Sequence, residues 1–257
     1  METNKIVPLV RVSLPIASRQ SVERCIRSTW LGYGPECRAL EGAFTEGRKG
    51  WALATSSCTS ALHIAATICR PEPGDEVILP PITFVSAAMA FAYAGFVPRF
   101  ADVDGNTLMP TPDSIAERIT SRTRAVVAVH LYGQRASMLP LRELCDRHGL
   151  LLIEDCAHRI DLLDTEERVS DFACFSFNAM KEVPCGEGGI LWGRSAEHEE
   201  GARAISNAGL DVDTLQRSAS ANHCDYEFSD WLGLKFRLND ILASVVRPAL
   251  ELLPEHR

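Results

Sequence analysis

From Trp51 onward, short apolar runs alternate with segments of helical periodicity, and this alternation is what most restricts the fold. The run AVVAVHL at 125–131 is apolar throughout, which is typical of a strand buried on both faces in a parallel sheet. Strands that alternate with helices predict an α/β fold, with a mostly parallel sheet flanked by helices. In such sheets functional groups gather at the carboxyl ends of the strands.

The positions of the elements follow from the same pattern. We predict strands at 51–55, 76–79, 97–101, 125–131, 150–154, 173–177 and 189–192. We predict helices at 60–69, 85–94 and 138–148, one opened by Thr111-Pro112, and one at 237–252 with a break at Pro248.

Composition excludes several classes of function. The net charge of −8 and the absence of a basic stripe argue against nucleic-acid binding. The nine cysteines form no CxxC pair, so neither a zinc ribbon nor a redox motif is indicated. An odd number of scattered cysteines favours reduced thiols in a cytosol. With no secretory signal and no apolar run long enough to span a bilayer, we expect a cytoplasmic protein without a membrane span.

The strongest local signal is a lysine at a strand end. The sequence FSFNAMK ends at Lys181 and is followed by GEGG at 186–189. A lysine beside hydroxyls at a strand mouth suits Schiff-base chemistry, since a desolvated amine is nucleophilic near neutral pH. Taken alone, the same lysine is compatible with an exposed loop.

Three further segments favour the Schiff-base lysine over a lysine on an exposed loop. Asp155 ends an apolar strand, where a carboxylate is costly unless it meets a cation such as a pyridinium, although strand-end aspartates also cap helices. The hydroxyl-rich turn TSSCTS at 55–60 joins a strand to a helix, an arrangement that offers free N–H groups to an anion or serves as a plain N-cap. Phe84 follows another strand and suits either stacking on a flat ring or the core.

These four elements, in this order, resemble the DegT/DnrJ/StrS family of PLP-dependent sugar aminotransferases, which have the aspartate-aminotransferase fold of type I. The likeness runs from about Leu31 to the C-terminus. Its most specific sequences are VHLYGQ at 129–134 and GEGG at 186–189. The resemblance implies pyridoxal 5′-phosphate (PLP) as the cofactor.

The resemblance assigns roles to the residues around the cofactor ring. Lys181 matches the lysine that holds PLP through a Schiff base and later shuttles a proton. Asp155 matches the partner of the pyridine nitrogen, and Phe84 matches the aromatic residue that stacks on the ring. His158 stands where the family has Gln or His near the phenolic oxygen of the cofactor.

It also assigns a phosphate site. Cys58, Thr59 and Ser176 fall at the phosphate cradle, and Lys235 falls on a loop that reaches the phosphate of a neighbouring subunit. The resemblance therefore implies a homodimer with composite sites. Three positions depart from the usual pattern: Cys58 replaces a frequent Gly, Asn178 a frequent His, and Lys235 a frequent Asn.

The implied reaction is the transfer of an amino group, with glutamate as donor, to a keto sugar linked to a nucleotide. A PLP-dependent sugar dehydratase is an alternative, although that branch replaces the lysine that Lys181 matches with His. We expect an N-terminal arm or helix at 1–30, a PLP-binding large domain at 31–236, and at 237–257 the start of a helix that leads to a second domain in full-length members. A half-enzyme that needs a partner chain, or a non-catalytic protein with the same fold, is a further alternative.

Overall fold

The described part of the chain contains seven strands and nine α-helices. The computed structural model describes residues 12–160, 168–219 and 226–253. The strands are β1 (Trp51–Thr55), β2 (Glu76–Leu79), β3 (Val97–Phe100), β4 (Thr123–Val129), β5 (Leu151–Cys156), β6 (Phe172–Ser176) and β7 (Gly189–Gly193). The helices are α1 (Ile16–Ser28), α2 (Pro35–Thr45), α3 (Cys58–Ile68), α4 (Ser86–Ala94), α5 (Pro112–Ala116), α6 (Met138–His148), α7 (Glu199–Ser206), α8 (Thr214–Ala219) and α9 (Asp240–Glu251).

All seven strands form one sheet in the order β1-β7-β6-β5-β4-β2-β3. The pairs from β3 to β6 are parallel, whereas β7 runs antiparallel to both of its neighbours, β1 and β6. Gly189 pairs with Thr55 on one side and with Ser176 on the other. The ends of β1 and β6 therefore lie at the same level, on either side of the first residue of β7.

Helices cover both faces of this sheet, as a parallel sheet requires. On one face, apolar side chains of the strands pack against α3, α4 and α7. On the other face they pack against α2 and α9 over one half of the sheet, and against α5 and α6 over the other. Successive residues of a strand face opposite sides, so Asp155 points toward the α3 side with Ile153, and Glu154 points away from it.

The N-terminal helices are fastened to α9. Ser18 of α1 donates a hydrogen bond to the carbonyl of Val245, 2.7 Å away. The buried carboxylate of Asp240 caps α2 from outside: its Oδ1 accepts from the N–H groups of Gly34 (2.8 Å) and Cys37 (3.0 Å), and its Oδ2 accepts from Glu36 (3.1 Å). These N–H groups have no partner inside α2, so a distant residue satisfies them.

The predicted α/β class and mostly parallel sheet are confirmed, and every predicted strand is present within two residues of its predicted ends. α3 begins two residues earlier than predicted, because Ser57 rather than a later residue caps it. α9 begins later than predicted, at Asp240, and continues through Pro248. α2, α7 and α8 were not predicted. Residues 1–11 of the predicted arm and 254–257 of the predicted C-terminal helix lie outside the described residues.

In the part of the chain that the structure describes, no helix is both long enough and apolar enough to cross a membrane.

The Asp240 cap makes a prediction about stability. Asp240→Ala removes the acceptors of three N–H groups, two of them buried, and should lower the free energy of unfolding by about 2–3 kcal/mol. Asp240→Asn keeps one carbonyl acceptor, so its free energy of unfolding should fall clearly less. Urea denaturation of the three proteins measures both losses. Equal stability of wild type and Asp240→Ala would show that α2 does not depend on this cap.

Candidate active site

Asp155, near the end of β5, presents a buried carboxylate to the α3 side of the sheet. Its Oδ1 accepts a hydrogen bond from the N–H of Ala157 at 3.0 Å and lies 3.8 Å from the thiol sulfur of Cys58. Its Oδ2 has no hydrogen-bond partner among the described residues. Burial raises the pKa of Asp155, and the bond from Ala157 only partly opposes that effect. A buried carboxylate with one unpaired oxygen is suited to bind a cation or an N–H donor.

Lys181 lies on the loop 177–188, which joins β6 to β7. Its side chain is half-buried, and its amine forms neither a hydrogen bond nor an ion pair within the described residues. Burial lowers the pKa of Lys181, and the neighbouring Cys58 and Asp155 partly offset that shift. The amine is therefore more available as a nucleophile than that of an exposed lysine.

One cavity brings three of the predicted residues together. Lys181, His158 and Ser176 line it, together with Met180 and Cys156. Asp155 comes immediately before Cys156 and interacts electrostatically with Lys181. The predicted amine, carboxylate, imidazole and hydroxyl thus come from the ends of two adjacent strands, β5 and β6, and from the segments that follow them.

His158 is held in a single tautomer by its neighbour Tyr132. The N–H of Tyr132 donates to Nδ1 of His158 at 3.1 Å, and the two rings stack with centroids 5.8 Å apart. Because Nδ1 accepts, the proton of the neutral ring is on Nε2, which makes Nε2 a hydrogen-bond donor. Burial, and then the charge of Lys181, hold the pKa of His158 below its usual value, so the ring is neutral at neutral pH.

The first turn of α3 lies beside these groups and can bind an anion. Ser57 caps the helix by accepting from the N–H of Ser60 at 3.0 Å. The N–H groups of Cys58 and Thr59 come earlier in the helix, where no carbonyl within it can accept from them. The side chain of Thr59 is exposed, and the Ser176 hydroxyl accepts a 3.3 Å bond from the N–H of Asn178. Free N–H groups at the positive end of a helix dipole favour a phosphate.

The remaining two predicted residues lie apart from this group. The ring of Phe84, on the loop between β2 and α4, is 71% exposed and makes no ring contact with another described residue. Lys235 is exposed and its backbone pairs with Asn207, while the carbonyl of the next residue, Phe236, accepts from the N–H of Ser56 at 2.6 Å. The segment that carries Lys235 therefore borders the hydroxyl-rich turn of its own chain.

A second polar group lies on the opposite face of β5. His130 Nε2 bonds Glu154 Oε2 at 2.8 Å, the Ser170 hydroxyl bonds Oε1, and the N–H of Ala136 donates to His130 Nδ1 at 3.2 Å. Burial acts to raise the pKa of Glu154, but the hydrogen bonds from His130 and Ser170 outweigh it, and the pKa is lowered. Cys156 lies near enough to complete a metal-ligand trio, but both Glu154 oxygens are already bonded. The group ties β4 to β5.

Tyr132 and Ser57 act in the site without having been assigned a role from the sequence. Tyr132 adopts a left-handed backbone conformation, with a φ of 51°, which turns its N–H toward His158. From the sequence, Tyr132 was noted only as part of VHLYGQ at 129–134, which supports the family resemblance but gives no role to its N–H. Ser57 belongs to the predicted hydroxyl-rich turn, where the sequence left open which hydroxyl caps the helix and which faces a ligand.

Comparison with known proteins identifies the family. The model of the DegT/DnrJ/EryC1/StrS aminotransferase family matches residues 16–257. The chain belongs to this family. It is thus a PLP-dependent sugar aminotransferase by family, and the resemblance stated from the sequence is confirmed.

Three solved structures illustrate the similarity. The aminotransferase TlmJ from Streptoalloteichus hindustanus is 33% identical, with a TM-score of 0.86 over 97% of this chain and 67% of that one. DesV from S. venezuelae is 30% identical, with a TM-score of 0.79 over 93% of this chain and 62% of that one. The sugar aminotransferase CalS13 from Micromonospora echinospora is 26% identical, with a TM-score of 0.84 over 97% and 69%. The chain thus spans about two thirds of the length of these proteins.

The residues present fit PLP, the cofactor of this family. The cofactor offers a pyridine nitrogen, an aldehyde and a phosphate, and the site offers one group suited to each. These are the buried carboxylate of Asp155, the half-buried amine of Lys181, and the N–H groups of Cys58 and Thr59, from which no carbonyl within α3 can accept a hydrogen bond.

The close contact at Gly189 makes a prediction about the hydroxyl-rich turn at 55–60, where we expect the phosphate. A Cβ at Gly189 would lie 2.5 Å from the backbone carbon of Ser57 and 2.6 Å from the nitrogen of Cys58. Gly189→Ala should therefore push the start of α3 away from β7, which should lower the free energy of unfolding by about 2–3 kcal/mol and weaken PLP retention. Urea denaturation and PLP release during gel filtration measure the two effects.

Gly32→Ala is the matched control, because a Cβ there meets no atom within 4 Å. It should leave stability and PLP retention unchanged. Wild-type PLP retention by Gly189→Ala would mean that this turn does not hold the phosphate.

Proposed function

We propose that this chain transfers an amino group from glutamate to a keto sugar linked to a nucleotide. The observation that carries the proposal is the buried carboxylate of Asp155, whose Oδ2 has no hydrogen-bond partner among the described residues, in electrostatic contact with the amine of Lys181. Membership of a sugar aminotransferase family and the similarity to CalS13, described as a sugar aminotransferase, support a sugar as acceptor. The nucleotide and the glutamate donor rest on the family resemblance.

PLP, when bound, supplies an electron-withdrawing ring that stabilises negative charge developing on the substrate carbon. Asp155 would maintain that property. Its Oδ2 would accept the N–H of the pyridine nitrogen and keep that nitrogen protonated, while Ala157 and Cys58 hold Oδ1. A cation at Oδ2 also removes the cost of burying the carboxylate without a counter-charge.

Lys181 would hold the cofactor covalently and then act as the acid-base group. Its amine lies on the same cavity as His158 and Ser176. With its pKa lowered by burial, Nζ can accept a proton from the α-carbon of the amino donor and return it to the other reacting carbon. Both proton transfers need Nζ within hydrogen-bond reach of the two carbon atoms. The rate of transfer should therefore depend on the position of loop 177–188, which carries Lys181.

The remaining residues would orient the cofactor. Nε2 of His158 would donate to the phenolic oxygen, because the N–H of Tyr132 occupies Nδ1. Phe84 would stack on the ring with its exposed face. The backbone and hydroxyl groups of three residues would bind the phosphate; these are Cys58, Thr59 and Ser176.

We also propose a homodimer in which Lys235 binds the cofactor phosphate of the partner subunit. Lys235 is exposed, and so are the neighbouring apolar residues Leu232 and Leu234. An exposed apolar segment that carries a cation is suited to a subunit interface close to an anion.

Covalent attachment at Lys181 tests the central assignment. Incubation of the purified chain with PLP should give visible absorbance that disappears on borohydride reduction, and peptide mapping should locate the adduct on Lys181. Glutamate should remove the absorbance of the unreduced protein. Lys181→Ala should keep the fold and lose the adduct. An adduct on Lys235 or Lys49 would show the assignment to be wrong.

Asp155→Asn tests the role of the buried carboxylate. The amide keeps the size of the side chain but cannot hold the pyridine nitrogen protonated. Single-turnover transamination should fall by at least two powers of ten, the scale of other catalytic electrostatic contacts of roughly 3 kcal/mol. PLP retention should fall much less. Near-normal turnover by a stable Asp155→Asn protein would exclude this role.

A further inference from the structure

The loop 177–188 is closed at its base by backbone hydrogen bonds. The N–H of Phe177 donates to the carbonyl of Gly188, and the N–H of Cys185 donates to the carbonyl of Phe177, both at 2.9 Å. The N–H of Ala179 donates to the carbonyl of Gly186, also at 2.9 Å. Lys181 lies beyond these bonds, near the tip of the loop, so they fix its position only indirectly.

Asn178 connects the base of this loop to its functional residues. Its backbone N–H donates to the Ser176 hydroxyl at 3.3 Å, and its carbonyl accepts from the N–H of Lys181 at 2.9 Å. Its side-chain Oδ1 accepts from the N–H of Met180 at 3.1 Å. Asn178 therefore contacts Ser176, which we propose binds the phosphate, as well as Lys181 and the residue before it, Met180.

The side chain of Asn178 is itself anchored across the loop. Its Nδ2 donates to Oε1 of Glu187 at 3.0 Å. Among the described residues, it is the only hydrogen bond between two side chains that crosses the loop. The two sides of the loop are otherwise joined by the backbone bonds given above.

We propose that Asn178 is a positioning residue that, through its hydrogen bond to Glu187, holds Lys181 at the cavity it shares with His158. The orientation of the amide follows from its partners. Oδ1 must accept from a backbone N–H and Nδ2 must donate to a carboxylate, so neither group can be exchanged for the other. Loss of the bond to Glu187 frees the side chain that fixes the turn 178–181, and the lysine moves toward solvent. The inference rests on the role proposed for Lys181.

Four variants separate the geometry of this contact from its charge. Glu187→Gln removes the charge but keeps a carbonyl acceptor, whereas Glu187→Ala removes both. Asn178→Asp places two acceptors against each other at 3.0 Å. The double variant Asn178→Asp, Glu187→Gln restores one donor and one acceptor with their positions exchanged. Glu187→Gln measures the effect of removing the charge of Glu187. The double variant carries one carboxylate in the pair, as the wild type does, so it tests the hydrogen bond at unchanged net charge.

The first measurement is the pKa of Lys181 in the cofactor-free chain, obtained by reductive ¹³C-methylation and NMR titration. Burial lowers this pKa, so exposure of the amine moves it back up toward 10.5. It should rise in Glu187→Ala and Asn178→Asp and stay at the wild-type value in Glu187→Gln and in the double variant. Thermal unfolding should change little in all four.

The second measurement is PLP release, which should be roughly tenfold faster in Glu187→Ala and Asn178→Asp, as for one lost hydrogen bond. The double variant should recover most of that loss. Equal behaviour of Glu187→Gln and Glu187→Ala, or no recovery in the double variant, would overturn the proposal. An adduct mapped to another lysine would instead refute the proposed function, and the NMR titration would still show whether Asn178 positions Lys181.

Discussion

The antiparallel strand β7 determines where the candidate site can form. It lies between β1 and β6, and its first residue pairs with the last residue of each. Segments more than 100 residues apart in sequence, the turn after β1 and the loop after β6, thereby become neighbours. Gly189 permits this arrangement, because its missing side chain leaves room for the backbone of Ser57. The hydroxyl-rich turn at 55–60 and the loop that carries Lys181 are therefore brought together at the same contact.

The sequence predicted the α/β class and every strand, because buried parallel strands are continuous apolar runs bounded by turns. It could not predict the position of β7, since an apolar run carries no sign of strand direction. α2 escaped prediction for a different reason. Its N-terminal N–H groups are satisfied by Asp240, which comes some 200 residues later, so no capping residue precedes the helix.

The sequence predicted which residues belong to the candidate site better than it predicted where their side chains point. Lys181, His158 and Ser176 share one cavity. The thiol of Cys58, a residue that the family resemblance placed at the phosphate, lies against Asp155. Side-chain directions of that kind depend on packing between β5 and α3. The roles of these residues, and those of Phe84 and Lys235, stay predictions. The contact between Asn178 and Glu187 left no sequence signal, because it needs the loop to fold back on itself.

The fixed tautomer of His158 has a consequence for how the site responds to acid. A second proton could enter the ring only at Nδ1, where the N–H of Tyr132 already points at the lone pair from 3.1 Å. Protonation would set two donors against each other, break the bond and release the stacked Tyr132 ring. The backbone N–H thus favours the neutral ring, in the same direction as burial and the charge of Lys181, which lower the pKa of His158. The neutral ring is then a hydrogen-bond donor at Nε2, and in the proposed reaction proton transfer would be left to the amine of Lys181.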